Sequence, residues 1–312
     1  MDHIGKVLIA APVHEILING LEQAGYQPVL AENITQNLAW ELIKDCVGVI
    51  TSTRIHLDRQ LLDNSPQLKW IGRMGSGMEV VDVHYATEKG IKCYSSPEGN
   101  CNAVAEHALG MLLALTKRIV ISHNEVHEGL WQRDANRGIE LEGKTIGIIG
   151  FGHTGRAFAK KLQGFDMNIL VYDKYSQGNI PAYVTNCPDL EPIMRQADII
   201  SFHVPLQEDT IHYFNDNFIA GMTKGFILVN TSRGIVADMN AIKSGLDSKK
   251  IIGVCLDVLE EEPLELMSTE KRMVLEEIMI HPDVIVTPHI AGYSFESLYK
   301  MSNVLLQKIV SR

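Results

Sequence analysis

The apolar residues of this chain come in short β-branched runs separated by stretches of helical periodicity. Residues 6–11 (KVLIAA), 27–31, 47–52 (VGVITS), 68–71 and 91–96 (IKCYSS) read as strands, with amphipathic helices over 13–24 and 35–45 between the first of them. A second series starts at 146–149 (IGII). It continues through a strand ending before Asp173, a short one near 183–185, then 198–202, 226–230 and 251–256. Helices are expected between these strands over 154–164, 189–196, 215–220 and 238–246, and a further strand, 284–286 (VIV), follows. Between the two series, Ala105, Ala108, Leu109, Leu112, Leu113 and Leu115 cover most of a helical circumference. That pattern predicts one long, largely buried helix over 102–128, capped by Asn102. Residues 294–312 read as an amphipathic helix. Strands alternating with helices in this way predict an α/β protein with two doubly wound parallel-sheet domains, the second built on about six strands.

The two series differ at their first turn. Strand 6–11 leads into Ala11-Pro12-Val13, which is no cradle for a pyrophosphate. Strand 146–149 leads into Gly150, Gly152 and Gly155, spaced G-x-G-x-x-G. The first glycine permits a tight turn, the second lets the backbone approach a pyrophosphate, and the third lets helix pack on strand. The helix that follows aims its N-terminal N–H groups at the phosphates. Asp173 lies 23 positions beyond Gly150, at the end of the next strand, where a carboxylate can accept hydrogen bonds from an adenosine ribose. It would repel a 2′-phosphate, with only Lys174 nearby to offset it, so the expected cofactor is NAD rather than NADP. The second domain is thus expected to bind the dinucleotide and the first to hold the substrate.

Composition narrows the class. A chain of 312 residues can bury two cores, and 46% apolar with 21% charged residues is ordinary for a globular protein. The formal net charge of −10 argues against nucleic acid or an anionic membrane as partner; an anionic small substrate would need a local cluster of arginines. The five cysteines are scattered and never in C-x-x-C spacing, so free thiols in a reducing cytosol are expected, and no metal. No apolar run of 18 residues occurs, and nothing at the N-terminus reads as a targeting segment, so a cytoplasmic location is expected.

Three groups with chemistry fall at the C-terminal ends of strands, where open α/β sheets bind ligands. Arg233, in the turn NTSRG after 226–230, can grip a carboxylate through its planar fork. Glu262, held extended by Pro263, follows 251–256, while Glu260 and Glu261 beside it read as a solvated loop. His289, in TPHIAG after 284–286, is a proton donor and acceptor near neutral pH. An anion clamp, a carboxylate to orient an imidazole and an acid–base group are together what carbonyl reduction beside a nicotinamide needs. In the first domain, Arg54 and Arg73 precede turns, and Gly75, Ser76 and Gly77 form a loop whose N–H groups suit a carboxylate. The segment 129–143, with Trp131, Arg133 and Arg137, suits a subunit contact.

Motifs along nearly the whole chain carry a resemblance to the D-isomer-specific 2-hydroxyacid dehydrogenases, and to their short phosphoglycerate-dehydrogenase-like members in particular. They are GRMGSGMEVVD at 72–82, GNCNAVAEHALGMLLAL at 99–115, GFGHTG at 150–155, HVPL at 203–206, NTSRG at 230–234, LDVLEEEP at 256–263 and PHIAG at 288–292. The resemblance implies a Rossmann cofactor domain, 101–290, inserted in a flavodoxin-like substrate domain, 1–100 plus 291–312. It makes Arg233 the binder of the substrate carboxylate, with Arg54, Arg73, Gly75, Ser76 and Gly77 beside it. Glu262 becomes the partner of the imidazole, and His289 the general acid in reduction and base in oxidation. His153 and Thr154 would lie near the pyrophosphate and Asp257 near the nicotinamide. His203, Val204, Pro205, Thr231, Ser232, Ala291 and Gly292 would join Gly150, Gly152, Gly155, Asp173 and His289 in holding NAD. The implied reaction interconverts a D-2-hydroxy acid and its 2-oxo acid in a homodimer. D-3-phosphoglycerate and phosphohydroxypyruvate are the favoured pair and glyoxylate or hydroxypyruvate reduction the alternative; a NAD-sensing corepressor is a distant third.

Overall fold

The computed structural model describes residues 4–175 and 179–311, and in it the β-branched runs assemble into two separate parallel sheets. One unit comprises Met1–Asn102 with Gly292–Arg312, the other Ala103–Ala291. The first unit runs β1 (Gly5–Ala10), α1 (Glu15–Gln23), β2 (Tyr26–Leu30), α2 (Gln36–Leu42), β3 (Cys46–Thr51), α3 (Arg59–Asp63), β4 (Trp70–Arg73), α4 (Val83–Glu88), β5 (Lys92–Ser95) and the start of α5 (Pro97–Thr116). Its strands lie in the order β2-β1-β3-β4-β5, the flavodoxin-like arrangement. Every residue of β3 is buried, because helices cover both faces of the sheet. Leu8, Val49 and Ile71 pack against Leu61 and Leu62 on one side. On the other, Val7, Ile9, Ile50 and Trp70 meet Leu17 and Leu21 together with Leu305 and Ile309 from the C-terminal helix. Each leucine so buried stabilises the fold by roughly 1.5–3 kcal/mol.

The second unit continues with α6 (Ile119–His127), β6 (Thr145–Ile149), α7 (His153–Leu162), β7 (Asn168–Tyr172), β8 (Thr185–Asn186), α8 (Glu191–Gln196) and β9 (Ile199–Phe202). After these come α9 (Asp216–Gly221), β10 (Phe226–Asn230), α10 (Met239–Asp247), β11 (Ile251–Leu256), α11 (Thr269–Met279) and β12 (Val284–Val286). The order β12-β11-β10-β9-β6-β7-β8 is the doubly wound nucleotide-binding topology, extended by one strand at the β12 edge. α12 (Phe295–Val310), opened by a Ser294–Ser297 capping box, returns the chain to the first unit. Among the described residues no helix is long and apolar enough to cross a membrane.

Several sequence expectations need correction. The sheet of the second unit has seven strands rather than about six, because the strand read at 284–286 joins it beside β11. The long helix over 102–128 is two helices: Arg118, at φ 54, breaks it between α5 and α6. α5 begins at Pro97, so Asn102 lies inside it rather than at its cap. Proline tolerates the first helical turn, where its missing N–H has no partner to lose. The buried face is as expected, with Ala105, Ala108 and Leu112 fully enclosed against Ile146 and Ile148. Helices α3, α4 and α11 are not predicted by the sequence pattern; α3 and α4 span fewer than two turns, too short for a periodic signal.

Candidate active site

The glycine turn is built as its spacing demands. Gly150 sits at φ +92, and a Cβ there would lie 2.5 Å from the His203 carbonyl oxygen. At Gly155 a Cβ would come within 2.1 Å of the Gly150 carbonyl oxygen, so only a hydrogen fits where α7 leans on the turn. Gly152 differs: nothing lies within 4 Å of the Cβ it lacks, so its open side admits a ligand. It is also the N-cap of α7, and no side chain caps the helix there. Exposed His153 and half-buried Thr154 begin the helix, and the Arg156 guanidinium lies 4.5 Å from the Phe151 ring centre. Asp173, at the end of β7, ties the turn down: its carboxylate accepts from the Phe151 N–H at 2.6 Å and from the Tyr175 N–H at 2.8 Å.

β9 and β10, next along the sheet, end beside this turn. His203 is half-buried as a residue, but its Nδ1 is closed off from water with no hydrogen-bond partner, while Nε2 contacts Ser201 Oγ at 2.9 Å. Val204 and Pro205 follow it, and the Thr231 hydroxyl after β10 is likewise buried without a partner. Polar atoms left this way are costly unless a ligand completes them. Together with the open side of Gly152 and the uncapped helix, they fit a dinucleotide.

Burial also pushes the His203 imidazole down to about 3, from an ordinary 6.5. Between those values the unfolded chain binds a proton that the folded chain refuses, so stability is complete above pH 6.5 and falls as pH drops toward 3. His203→Gln, which cannot titrate, should flatten the decline in melting temperature across that window. Parallel curves for the two proteins would refute the assignment.

Arg233 hangs on a turn knitted by a buried asparagine. Asn230 donates from Nδ2 to the Arg233 carbonyl at 3.0 Å, and its Oδ1 accepts from the Ser232 N–H at 3.1 Å and hydroxyl at 2.7 Å. The Arg233 side chain donates to the Ser232 carbonyl at 2.6 Å. A Cβ at Gly234 would fall 1.7 Å from the Leu259 carbonyl oxygen, so the turn packs directly on the loop after β11.

That loop and the one after β12 complete the constellation. Glu262 Oε2 meets His289 Nδ1 at 2.7 Å, and its Oε1 accepts from the Leu259 N–H at 2.7 Å. Burial by itself raises the Glu262 carboxyl, but hydrogen bonds from His289 and Leu259, aided by the charges of His289 and Arg233, hold it below the ordinary glutamate value. His289 adopts a left-handed backbone, φ 54, which costs a non-glycine residue energy and must be enforced. Asp257 enforces it. Buried to 1% exposure, its carboxylate accepts from the Thr287 hydroxyl at 2.6 Å and from the N–H groups of Ile290 at 2.9 Å and Ala291 at 2.8 Å, while its carbonyl accepts from the His289 N–H at 2.8 Å. His107 Nε2, on α5, contacts Thr287 Oγ1 at 3.0 Å. The acidic loop itself is not simply solvated. The Glu260 side chain, 6% exposed, accepts from Lys271 Nζ at 2.6 Å and from the Met239 N–H at 2.6 Å, and Glu261 accepts from the Ser268 N–H at 2.7 Å.

Arg233, Glu262 and His289 thus come from the C-terminal ends of β10, β11 and β12, three neighbouring strands, with Thr231 and Ser232 buried beside Arg233 and Ala291 buried beyond His289. The residues read as substrate-binding lie in the first unit, as does Gly292, whose carbonyl accepts from the Ser297 hydroxyl at 2.7 Å. Arg54, exposed after β3, donates to Asn33 Oδ1 at 3.0 Å. Arg73 ends β4 with its guanidinium folded over Gly75, where a Cβ would lie 1.5 Å from Nη1. The Gly75 N–H is already engaged by buried Ser96 Oγ at 2.9 Å, which leaves Ser76 and Gly77 of that loop to offer N–H groups. Sequence reasoning missed the holding roles of Asp257, Thr287 and Ser96, whereas His107 reads from the sequence as a residue at a cleft or an internal polar contact, and it makes one with Thr287. Asp257 carries a signal, a polar residue inside an apolar run, but the partners of all three are too distant along the chain to be paired with them.

Residues 109–291 match the family model for the NAD binding domain of D-isomer specific 2-hydroxyacid dehydrogenases. The chain is 34% identical over 309 residues to D-3-phosphoglycerate dehydrogenase of Methanocaldococcus jannaschii, covering 98% of this chain but 57% of that one. The chain therefore spans little more than half the length of that relative. It is 34% identical over 283 residues to hydroxypyruvate reductase of Thermotoga maritima, covering 90% and 89%. Its fold is similar to D-lactate dehydrogenase of Aquifex aeolicus complexed with NAD and lactic acid: TM-score 0.82, 27% identity, 97% and 94% of the two chains.

Proposed function

This chain belongs to the D-isomer-specific 2-hydroxyacid dehydrogenase family, and on that premise we propose that it is an NAD-dependent enzyme interconverting a D-2-hydroxy acid and its 2-oxo acid. The observation that carries the reading is the 2.7 Å bond between Glu262 and His289 Nδ1, with the Arg233 charge close enough to act on Glu262, on the edge of a nucleotide-binding sheet. When bound, the nicotinamide supplies or accepts hydride. The chain's own groups do the rest. Arg233 grips the substrate carboxylate with two N–H groups and polarises the adjacent carbonyl. Glu262 fixes the imidazole through Nδ1, which leaves Nε2 to give a proton to the carbonyl oxygen in reduction and to take it back in oxidation. The first glycines of the turn and the free N-terminus of α7 would hold the pyrophosphate, and Asp173 the adenosine ribose.

D-3-phosphoglycerate and phosphohydroxypyruvate are the proposed substrate pair, supported by the phosphoglycerate dehydrogenase relative and by Arg54 and Arg73 at the strand ends of the first unit. Glyoxylate or hydroxypyruvate is the second reading, supported by the hydroxypyruvate reductase relative at the same 34% identity. Oxidation of NADH with phosphohydroxypyruvate, hydroxypyruvate, glyoxylate and pyruvate separates these readings. The expected ranking places phosphohydroxypyruvate first and NADH ahead of NADPH; no turnover with any 2-oxo acid would sink the enzymatic reading. A homodimer in the cytoplasm is proposed with it. Ile119, Val120 and Val126 of α6, with Leu130, Trp131 and Ile139 just beyond, are exposed apolar side chains on one stretch of chain, the composition that a subunit interface would cover.

A further inference from the structure

The loops after β7 and β9 are joined by an ion pair that the glycine motif does not call for. Lys174 Nζ lies 2.5 Å from Asp209 Oδ2. Strand β6 stands between β7 and β9 in the sheet, so the two loops flank the glycine turn, with their strands about 9–10 Å apart. Lys174 follows directly on Asp173, the residue read as the ribose acceptor. Asp209 is fixed rather than wandering: it lies in a short 3-10 turn, Glu208–Thr210, closed by a capping box in which the Gln207 N–H donates to Thr210 Oγ1 at 2.8 Å.

We propose that Asp209 is a specificity-determining residue which, by occupying Lys174, excludes a 2′-phosphorylated adenosine from the cofactor site. This deepens the NAD reading and rests on it. A 2′-phosphate beside Asp173 needs a cation, and Lys174 is the cation adjacent to Asp173 in sequence. The Asp209 contact raises the Lys174 ammonium above its ordinary value and Lys174 holds Asp209 below its own, so each is charged and engaged at neutral pH. Asp209 thus neutralises the ammonium next in sequence to Asp173, which leaves the Asp173 carboxylate uncompensated by Lys174 toward an incoming phosphate. Lys174 and Asp209 are 58% and 44% exposed, so the pair adds little to stability and its removal leaves the fold intact. Its effect is on which anion may approach.

Binding of NADH and NADPH, followed by fluorescence titration without substrate, tests this. Asp209→Asn is expected to tighten NADPH about fivefold, the scale of one exposed charge contact, and to leave NADH unchanged within a factor of about two. Adding Lys174→Met to that variant should abolish the gain, because the freed ammonium is its source. An unchanged NADPH-to-NADH ratio in Asp209→Asn, a gain that survives Lys174→Met, or equal affinities in the parent protein would each overturn the assignment to Asp209. Failure of the parent to bind NADH at all would instead overturn the cofactor reading on which it stands.

Discussion

Replacing His289 by glutamine is expected to lower kcat for reduction by about 10²–10⁴-fold, the usual contribution of a positioned proton donor, with little change in KM. Glutamine keeps a polar side chain near Glu262 but cannot deliver a proton. The backbone should hold, because the left-handed conformation at position 289 is imposed by Asp257, Thr287 and the amides of Ile290 and Ala291 rather than by the imidazole. The companion change Glu262→Gln separates proton transfer from packing. It leaves a hydrogen-bond partner for Nδ1 but removes the carboxylate that fixes the ring at 2.7 Å, so kcat should fall, by less than in His289→Gln, while the melting temperature holds. Wild-type turnover from both variants at every pH would mean that His289 does not exchange the proton.

Arg233→Lys is the second large effect. The guanidinium sits on a turn locked by Asn230 and packed against the Leu259 carbonyl through Gly234, so its fork is presented in a fixed direction. Lysine retains the charge but offers a single ammonium in place of two parallel N–H donors. Loss of one charged hydrogen bond corresponds to roughly 1.5–3 kcal/mol, so KM for the 2-oxo acid should rise about 10–100-fold. A smaller fall in kcat is expected as well, because the same fork polarises the carbonyl. Steady-state kinetics unchanged from the parent would remove Arg233 from the substrate site.

Much of this site is legible in the chain because its chemistry is tied to local rules. Gly150, Gly152 and Gly155 are required by a turn of a few residues, and that requirement is written at fixed spacing. Arg233, Glu262 and His289 each follow an apolar run at the place where a parallel sheet opens to ligands. Glu260 shows the limit of such reasoning. A run of three glutamates reads as solvated surface, yet Glu260 is enclosed by Lys271 from α11 and the Met239 N–H at the start of α10. Neither partner is within ten residues of it in the sequence, and α11 was not anticipated at all. Asn102 failed for the opposite reason: a local cap signal was overridden by the preceding Pro97, which starts the helix earlier.

By itself the sequence determined two sheets, the strand endings, the glycine turn and the identities of the groups able to carry a proton or grip an anion. Those depend on side-chain periodicity and backbone sterics, which act over a few residues. The tertiary structure decided which of these groups meet and in what state. It spends Asp257 on the loop that bends His289 into its left-handed conformation, and it sets Glu262 at 2.7 Å from the imidazole. It also leaves Thr231 Oγ1 and His203 Nδ1 buried without partners and couples Lys174 to Asp209 across the glycine turn. Burial and charge pairing are properties of neighbours in space, and the strands that make those neighbours lie tens of residues apart along the chain.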